Sequence, residues 1–328
     1  MNVTEKIFCL KPKYLDDFQC DGSKCGALCC QTNWNIYIDA PTYEKYSALP
    51  QAQEILRHLR GSSDEKYFIA HEGKACPFLG EDNLCRIQKA HGENFLSQVC
   101  ASYPRIITRF ENFVELALSP TCPIAARLVL LQTEPLKFEL LEASEKILRF
   151  GANNILQGIP NDFAPLIVEI QMAMVKLLQE RRLTLDERLI VLGFFLDRIE
   201  ELFYGGKLDG KALQKLSAVY ASENFLAFEV PFMLRSVNFI AEKILSPEFE
   251  TVAENFLVNE IFLSVYPFRI DASIWSNYNL FVKVYKIFLR RARGLKTIDE
   301  LLMVISDLSQ RIDHDNDYLQ NLTEEGFA

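Results

Sequence analysis

The sequence predicts a mainly α protein in which a cysteine-rich, loop-rich N-terminal region over residues 1–125 precedes an α-helical domain over residues 126–328. The first observation is that all nine cysteines lie at or before Cys122. The second is that turn-forming segments such as HEGKACPFLGEDN are concentrated in the same part of the chain. The third is that apolar residues after about residue 124 recur every three or four positions, which indicates amphipathic helices.

Start signals identify the helices of the second part. Thr184 and Glu187, and again Thr297 and Glu300, have the spacing of a capping box. Ser246 followed by Pro247 is typical of an N-cap with proline in the first turn. The helical patterns cover residues 135–150, 162–182, 184–203, 209–220, 224–245, 248–266, 273–292 and 297–312. The sequence therefore predicts a helical bundle with few strands after residue 125.

Charge and hydropathy narrow the class of partner. The net charge of −9 argues against nucleic acid, because binding to a phosphate backbone needs clustered lysine and arginine. The most apolar stretch, near residues 189–196, is far shorter than the roughly 20 residues that span a bilayer, so no membrane partner is expected. The N-terminal residues lack the pattern of a signal peptide. We therefore expect a cytoplasmic protein, in which thiols stay reduced.

Eight of the cysteines form two groups with short spacings. The first group is Cys20, Cys25, Cys29 and Cys30, and the second is Cys76, Cys85, Cys100 and Cys122. Thiolate is a soft ligand that suits Zn²⁺ and iron–sulfur clusters, and the lack of nearby histidine favours ligation by thiolates alone. The spacing thus predicts a metal or iron–sulfur site, with redox disulfides or plain buried thiols as the alternatives. Cys9 stands outside the pattern and is expected in the core.

The adjacent pair Cys29 and Cys30 leaves two possibilities open. Both side chains cannot easily point at one centre from an extended chain. Either a turn brings both sulfurs to the same side, or the two thiols serve different partners.

Several common sites are excluded by spacing. In the radical-SAM loop C-x3-C-x2-C, the third ligand after Cys25 and Cys29 would be residue 32, which is Thr32. Paired C-x2-C zinc ribbons are absent from the sequence. Neither a G-x-G-x-x-G nor a Walker A sequence occurs, so a nucleotide-binding Rossmann domain is not expected.

The cysteine motifs resemble one known family. The stretch FQCDGSKCGALCCQTNWNIYID, then ACPFLGEDNLCRIQKAHGENFLSQVCASYPR and LSPTCPIAARLVL, is similar to the flagellin lysine-N-methylase (FliB-like) family over roughly residues 14–135. The shorter core of a CC pair followed by CPFL and further cysteines also resembles the broader cysteine-cluster domains that chelate zinc or iron.

The resemblance implies an activity and its cofactors. It implies transfer of a methyl group from S-adenosylmethionine to lysine ε-amines of flagellin, with an iron–sulfur cluster, expected to be 4Fe-4S, and zinc as the alternative metal. The cysteines that match the family motifs are the eight named above. One cubane cluster takes about four thiolates, so two sites or a set of structural thiols both remain open.

Methyl transfer to lysine needs a neutral amine and a pocket for a sulfonium, which aromatic faces attract. The polar and aromatic residues near the cysteines are therefore candidates. Tyr103, Arg105 and Asp39 are the catalytic candidates, and Trp34 and Tyr37 are the candidates for cofactor binding. Each has a plainer alternative: Tyr103 as a packed ring, Arg105 as the partner of a surface acid, and Asp39 as the N-cap of a helix that begins near Pro41.

Two other functions remain open on the sequence alone. A non-catalytic zinc- or iron-chelating protein would use the cysteines for structure or sensing and would need no donor pocket. A cluster-based redox protein would need neither the donor nor a lysine channel.

Overall fold

The protein's structure, a computed structural model, describes residues 6–31, 36–61, 67–69, 75–148, 152, 154–155, 163–237, 245–269, 273–315, 318 and 321–322. Helices account for most of these residues, so the predicted mainly α class is confirmed. Trp34 and Thr32 lie outside the described residues.

Short helices and strands fill the first part of the chain, and longer helices follow. The helices are α1 (Gly22–Cys25), α2 (Ala40–Ser47), α3 (Ala52–Leu56), α4 (Arg86–His91), α5 (Gln98–Ser102), α6 (Pro123–Leu130), α7 (Glu145–Leu148), α8 (Ala164–Leu178), α9 (Leu185–Tyr204), α10 (Gly210–Tyr220), α11 (Val230–Ser236), α12 (Pro247–Leu263), α13 (Ile274–Ala292) and α14 (Ile298–His314). The strands are β1 (Phe8–Pro12), β2 (Ile36–Ile38), β3 (Leu59–Arg60), β4 (Tyr67–Ile69), β5 (Arg105–Phe110), β6 (Phe113–Leu118), β7 (Phe138–Glu142) and β8 (Asn154–Ile155). We call α8 to α14 the helical body.

The predicted start signals of the helical body are confirmed. At α9 the Thr184 hydroxyl accepts from the N–H of Glu187 at 3.4 Å, and the Glu187 carboxylate accepts from the N–H of Thr184 at 2.8 Å. The same box opens α14. At α12 the Ser246 hydroxyl accepts from the N–H of Phe249 at 3.2 Å. These bonds satisfy amide groups that the first helical turn leaves without partners.

A five-stranded sheet that no sequence pattern predicted packs against the helical body. Its strand order is β7-β1-β6-β5-β8, with β1 parallel to β6 and β5 antiparallel to β6. Strand β6 lies against α12, and all six of its residues are buried. A second sheet, of order β2-β4-β3, belongs to the part of the chain that carries most of the cysteines.

The helix predicted over residues 135–150 is wrong. The chain instead forms β7, which pairs antiparallel with β1 along all five of its residues, and then the short helix α7. Pairing with β1 supplies the backbone hydrogen bonds that a helix would have made internally. Phe138 on this strand also packs its ring against Phe262 of α12, with ring centroids 4.6 Å apart.

Two hydrophobic clusters hold these elements together. The large one joins Cys9 and Phe110 from the sheet to the helical body, so it includes residues from both sides of position 125. The small one contains Ile36, Tyr46 and Phe78 and lies among α2, α3, α4 and the second sheet. The boundary at residue 125 stays a prediction. Cys9 is fully buried, as expected for a core thiol.

Candidate functional site

The first cysteine loop folds into two tight turns. Helix α1 ends at Gly26, which adopts a left-handed conformation with φ of 65°, and Ala27 follows with φ of 53°. Only glycine enters this region without steric cost, so Gly26 is suited to its place. A 3₁₀ turn over Leu28–Cys30 then brings the Sγ atoms of Cys29 and Cys30 to 4.0 Å from each other. The turn therefore brings both sulfurs to the same side, and their sharing of one centre stays a prediction.

The second cysteine loop packs directly on the first. The N–H of Cys76 donates to the carbonyl oxygen of Cys30 at 2.6 Å. A Cβ added to Gly22 would meet the carbonyl oxygen of Asn83 at 2.6 Å, so the two backbones touch at a position that only glycine allows. A bridge between Leu79 and Cys85 closes the second loop.

Cys85, Cys100 and Cys122 are placed by helix starts. Cys85 is the N-cap of α4 and Cys122 is the N-cap of α6, and neither side chain makes a capping hydrogen bond. Cys100 lies in the first turn of α5, where the Ser97 hydroxyl accepts its N–H at 3.3 Å. Three separate helix starts thus bring thiols towards the two loops.

Electrostatic interactions show which thiols are neighbours. The charge of Cys29 acts on Cys20, Cys76, Cys100 and Cys122. Cys85 acts on Cys76 and Cys100, and Cys25 acts on Cys20 and Cys122. We call these seven residues together with Cys30 the cysteine cluster. The structure therefore brings all eight predicted cysteines into one region.

The thiols of the cysteine cluster differ in acidity. The hydrogen bond with Cys30 lowers the pKa of Cys29 to about 7, while the same bond and burial raise the pKa of Cys30. Burial raises the pKa of Cys76 and takes the pKa of Cys122 to about 11. One thiol of the Cys29–Cys30 pair therefore loses its proton more easily than its neighbour, whereas burial disfavours the thiolate at Cys76, Cys100 and Cys122.

The chemistry of the thiols favours a metal site, whereas their arrangement in this structure does not form one. Thiolates are the right chemistry for an iron–sulfur cluster or zinc. Within the described part of the chain, however, no group of three or more cysteine, histidine, aspartate or glutamate side chains is arranged to hold an ion. The sulfurs share a region without forming a closed coordination site.

Tyr103 and Arg105 flank the cysteine cluster. The Tyr103 hydroxyl hydrogen-bonds to the Thr121 hydroxyl at 3.0 Å, and burial raises the pKa of Tyr103, so the phenol keeps its proton near neutrality. The Arg105 guanidinium lies over the Phe18 ring, 4.9 Å from its centroid. Desolvation lowers the pKa of Arg105, against the opposing charges of Glu93 and Cys20.

Asp39 has a structural role as a helix cap, and Tyr37 is exposed to solvent. One Asp39 carboxylate oxygen accepts from the N–H and hydroxyl of Thr42, at 3.0 and 2.8 Å, and the other accepts from the N–H of Gln98 at 2.9 Å. The residue thus caps α2 and ties it to α5, as the plainer alternative predicted. Tyr37 is 47% exposed on β2. Catalytic or cofactor roles for these two residues stay predictions.

An open groove of about 600 Å³ runs between α2 and the segment that carries Cys100. Its charged lining consists of Asp39, Glu93 and Glu145 on the acidic side and Lys45 on the basic side. Three carboxylates against one ammonium give the groove a net negative charge. Lys45 also donates to the carbonyl oxygen of Asn94 at 2.8 Å.

Sequence reasoning missed one buried polar group beside the cluster. Ser119 hydrogen-bonds to Thr121 at 2.7 Å and donates to the carboxylate of Asp313 at 3.5 Å. Asp313 interacts in turn with Glu260 and Arg269. No local motif marks these residues, because helix α14 reaches the site from a distance of 194 residues along the chain.

This geometry defines a class: a mainly α protein with eight cysteines gathered on short elements beside a helical body. The chain belongs to the flagellin lysine-N-methylase (FliB-like) family. It is 34% identical over 127 residues to the flagellar biosynthetic protein FliU of Salmonella muenchen, a match that covers 36% of this chain and 75% of FliU.

Two longer relatives carry an enzyme's name. The chain is also 34% identical over 127 residues to the lysine-N-methylases of Salmonella choleraesuis (strain SC-B67) and Salmonella typhimurium (strain LT2). These matches cover 36% of this chain and only 31% of each enzyme. No family model matches the chain, and no solved structure matches it significantly. Among the described helices, none is long and apolar enough to cross a membrane.

Proposed function

We propose that the protein is a protein lysine N-methyltransferase that moves a methyl group from S-adenosylmethionine to lysine ε-amines of flagellin, with the help of an iron–sulfur cluster. The observation that carries the proposal is the gathering of eight thiols in the cysteine cluster of a chain related to enzymes named lysine-N-methylase. All-thiolate donors suit iron–sulfur clusters.

The thiols nearest Cys30 are our candidate ligands. Cys29, Cys76 and Cys100 all act electrostatically on Cys30, which gives the four thiolates that a 4Fe-4S cluster takes. Ligation requires these sulfurs to converge further and to lose their protons, so cluster binding and the order of both loops are coupled. With all four irons held by thiolates, a bound cluster would fix the two cysteine loops beside the donor site, and binding of the methyl donor would fall to the protein's own residues.

The protein's own residues supply binding and orientation. Arg105 lies beside Cys20 and presents a planar cation that can pair with a carboxylate of the donor. The acidic groove, with Glu93 and Glu145 on its rim, attracts the ammonium of a substrate lysine. The ammonium must then lose a proton, since only the neutral amine has the lone pair that attacks the methyl carbon.

Mass spectrometry of flagellin incubated with the protein and S-adenosylmethionine tests the reaction. We expect lysine mass increments of whole methyl groups, and visible absorbance from an iron–sulfur cluster after anaerobic purification. A brown, iron-loaded protein that leaves folded flagellin unmodified would support a non-catalytic chelator instead. A colourless protein that contains zinc would contradict the cluster.

Arg105→Gln tests the donor site against Arg109→Gln, a matched change at an exposed position of the same strand. We expect Arg105→Gln to raise the KM for the donor by about tenfold or more, because a charged hydrogen bond contributes roughly 1.5–3 kcal/mol. Arg109→Gln should leave KM unchanged. Equal effects of both substitutions would remove Arg105 from the site.

A further inference from the structure

Strand β7 lies at one edge of the five-stranded sheet, so β1 pairs with only one of its two sides. The register of the two strands fixes which backbone groups this pairing uses. The N–H of Ala143, just after β7, donates to the carbonyl oxygen of Ile7 at 2.8 Å. Hydrogen-bonded pairs alternate along an antiparallel ladder, so the N–H and C=O groups of Leu141 and Glu139 also face β1.

The alternate residues of β7 direct their backbone groups away from β1. These residues are Phe138, Leu140 and Glu142. Pro12, which has no N–H to donate, accordingly lies opposite Phe138. Within the described part of the chain, no residue hydrogen-bonds to these outward N–H and C=O groups. Leu140, at the centre of the strand, is 54% exposed, so β7 presents an open row of donors and acceptors.

This edge lacks the usual protection against pairing with another chain. Proteins commonly block an edge strand with lysine, proline or a bulge. The β7 sequence FELLE contains neither lysine nor proline, and its five residues pair with β1 without a bulge. Its acids are already paired, Glu142 with Lys6 and Glu139 with Lys11, both at 3.0 Å. The edge is therefore suited to strand addition, in which an extended peptide pairs with a sheet through main-chain hydrogen bonds.

The end of β7 leads to the acidic groove. Glu142 is the last residue of the strand, and Glu145, three residues later, lines the groove, so their Cα atoms are at most about 11 Å apart. The groove is also lined by Gln98 and Ala101, which lie on either side of Cys100 in α5. A peptide added to β7 can thus continue into the groove and reach the edge of the cysteine cluster.

The charge of the groove favours one kind of side chain. The carboxylates of Asp39, Glu93 and Glu145 line it together with the single ammonium of Lys45. A cationic side chain is attracted by this field, whereas an acidic one is repelled. The edge strand therefore recognises a backbone, and the groove adds a preference for lysine.

We propose that β7 is the docking site for the protein substrate: an extended segment adds to the sheet as a further strand and places its lysine in the acidic groove. The inference deepens the proposed methyltransferase function and rests on it for the fate of the lysine. An extended chain advances roughly 3.3 Å per residue, so the lysine lies about three or four residues beyond the paired stretch. Recognition through the backbone leaves the sequence of the paired stretch largely free.

Fluorescence anisotropy of a labelled peptide measures this binding without a methyl donor. The probe is a peptide of about nine residues, a length that covers β7 and the groove, with alternating threonine and valine and one lysine near its end. Two further peptides carry N-methyl groups on the odd or on the even backbone amides. An added strand bonds to β7 through every second residue only. We expect one methylated peptide to bind about tenfold or more weakly and the other to bind like the parent. Equal affinities of the two would overturn the proposal.

Leu140→Pro tests the same contact from the side of the protein. It removes an outward N–H, and proline is tolerated where the N–H of an edge strand faces away from its neighbour. Leu140→Thr is the matched control, because it removes the leucine side chain and keeps the N–H. We expect about a tenfold or larger loss of affinity in Leu140→Pro and less than about a twofold loss in Leu140→Thr. Equal losses would mean that the side chain binds and would overturn backbone recognition.

Thermal melts show whether Leu140→Pro is folded, and the methylated peptides test the proposal on the unsubstituted protein if it is not. A peptide with norleucine in place of lysine tests the groove. It should bind more weakly than the parent at low salt, and the difference should shrink as salt screens the charges. Sedimentation tests a second copy of the chain as the occupant. A dimer that Leu140→Pro dissociates and that the peptide does not displace would overturn the proposal.

The docking site and the reaction can fail separately. If the peptides bind in the expected pattern but flagellin gains no methyl group, the proposed reaction fails and strand addition stands. If Leu140→Pro, shown to be folded, methylates flagellin as well as the unsubstituted protein does, strand addition is overturned and the reaction stands.

Discussion

Helices α9 and α14 of the helical body begin with complete capping boxes, whereas α4 and α6 begin with Cys85 and Cys122, which make no capping bond. A poor N-cap costs about 1 kcal/mol relative to serine or threonine. Five of the seven described helices of the helical body begin with a side-chain cap, and α8 and α11 do not. In the cysteine region Asp39 and Ser97 cap α2 and α5, but α4 and α6 keep a thiol where stability would favour a hydroxyl. Such a thiol is typical of residues retained for what they bind.

The largest difference between the two regions is expected between Cys29→Ser in the cysteine cluster and Cys9→Ser in the large hydrophobic cluster. Cys29 is surrounded by the other thiols, whereas Cys9 is fully buried in the large hydrophobic cluster. We expect Cys29→Ser to abolish iron binding and methyl transfer with little change in helical circular dichroism. Cys9→Ser should keep the iron per folded molecule and lower the free energy of unfolding by about 1–3 kcal/mol, because a hydroxyl is buried there.

Metal analysis and thermal melts of both variants check this. Loss of iron in Cys9→Ser at a temperature where the protein is folded would show that the two regions are not separable in this way.

The second prediction concerns the buried charges of the helical body. Arg188 of α9 donates to Glu254 of α12 at 2.7 Å, and their side chains are 5% and 2% exposed. Arg188→Ala leaves a buried carboxylate short of a partner and should cost roughly 3 kcal/mol of the free energy of unfolding. Arg198→Ala removes a surface ion pair with Glu201 and should cost less than about 1 kcal/mol. Urea denaturation of both variants measures the difference, and similar costs would contradict the account of Arg188.

The third prediction uses Glu115, which is buried in β6 and hydrogen-bonded to Gln171 at 3.2 Å. Burial raises its pKa to about 8, so the folded protein holds a proton that the unfolded chain releases from about pH 4.5 upward. The unfolded state therefore binds fewer protons in this window, and stability falls as the pH rises from about 4.5 to 8.

Glu115→Gln should remove most of that fall, a difference of about 3 kcal/mol between pH 5 and pH 8. Glu111→Gln, an exposed change in the neighbouring turn, serves as the control and should keep the fall. Urea denaturation at several pH values measures both. A fall of equal size in Glu115→Gln would mean that another group causes it.

The smallest expected effect tests the helix starts directly. In metal-free protein, Cys85→Ser should raise stability by up to about 1 kcal/mol, because serine can cap α4. Ser246→Ala in the helical body should lower stability by a similar amount, since it removes an existing cap. Thermal melts of the metal-free proteins compare the two. A loss of stability in Cys85→Ser would mean that the thiol itself packs better than a cap binds.

The helical body was predictable because its signals are local. Thr184 and Glu187 are three residues apart, and the cap they form depends on little else. Strand β7 was not predictable in this way, because the pattern around Phe138 fits a helix until its pairing with β1 is known. The cysteines were found by composition and spacing, which can be read from the sequence without knowing the fold.

The remaining features of the site depend on distant contacts. Asp313 resembles any polar residue near the end of an amphipathic helix until α14 brings it to Ser119. The sequence shows Glu115 only as an acid on a strand of unknown exposure. In the structure α8 lies over it, and Gln171 of that helix donates a hydrogen bond to its carboxylate. Such contacts carry no local pattern, so the sequence alone could not predict them.

The contact of Gly22 with the Asn83 carbonyl oxygen leaves the two cysteine loops no room to slide independently. Together with the bond from the Cys76 amide to Cys30, it makes both loops one rigid piece. An oxidant or chelator that dislodges one loop should therefore displace the half-buried thiols of both, whereas Cys20 is exposed from the start. Damage to the cluster should therefore spread in a single cooperative event.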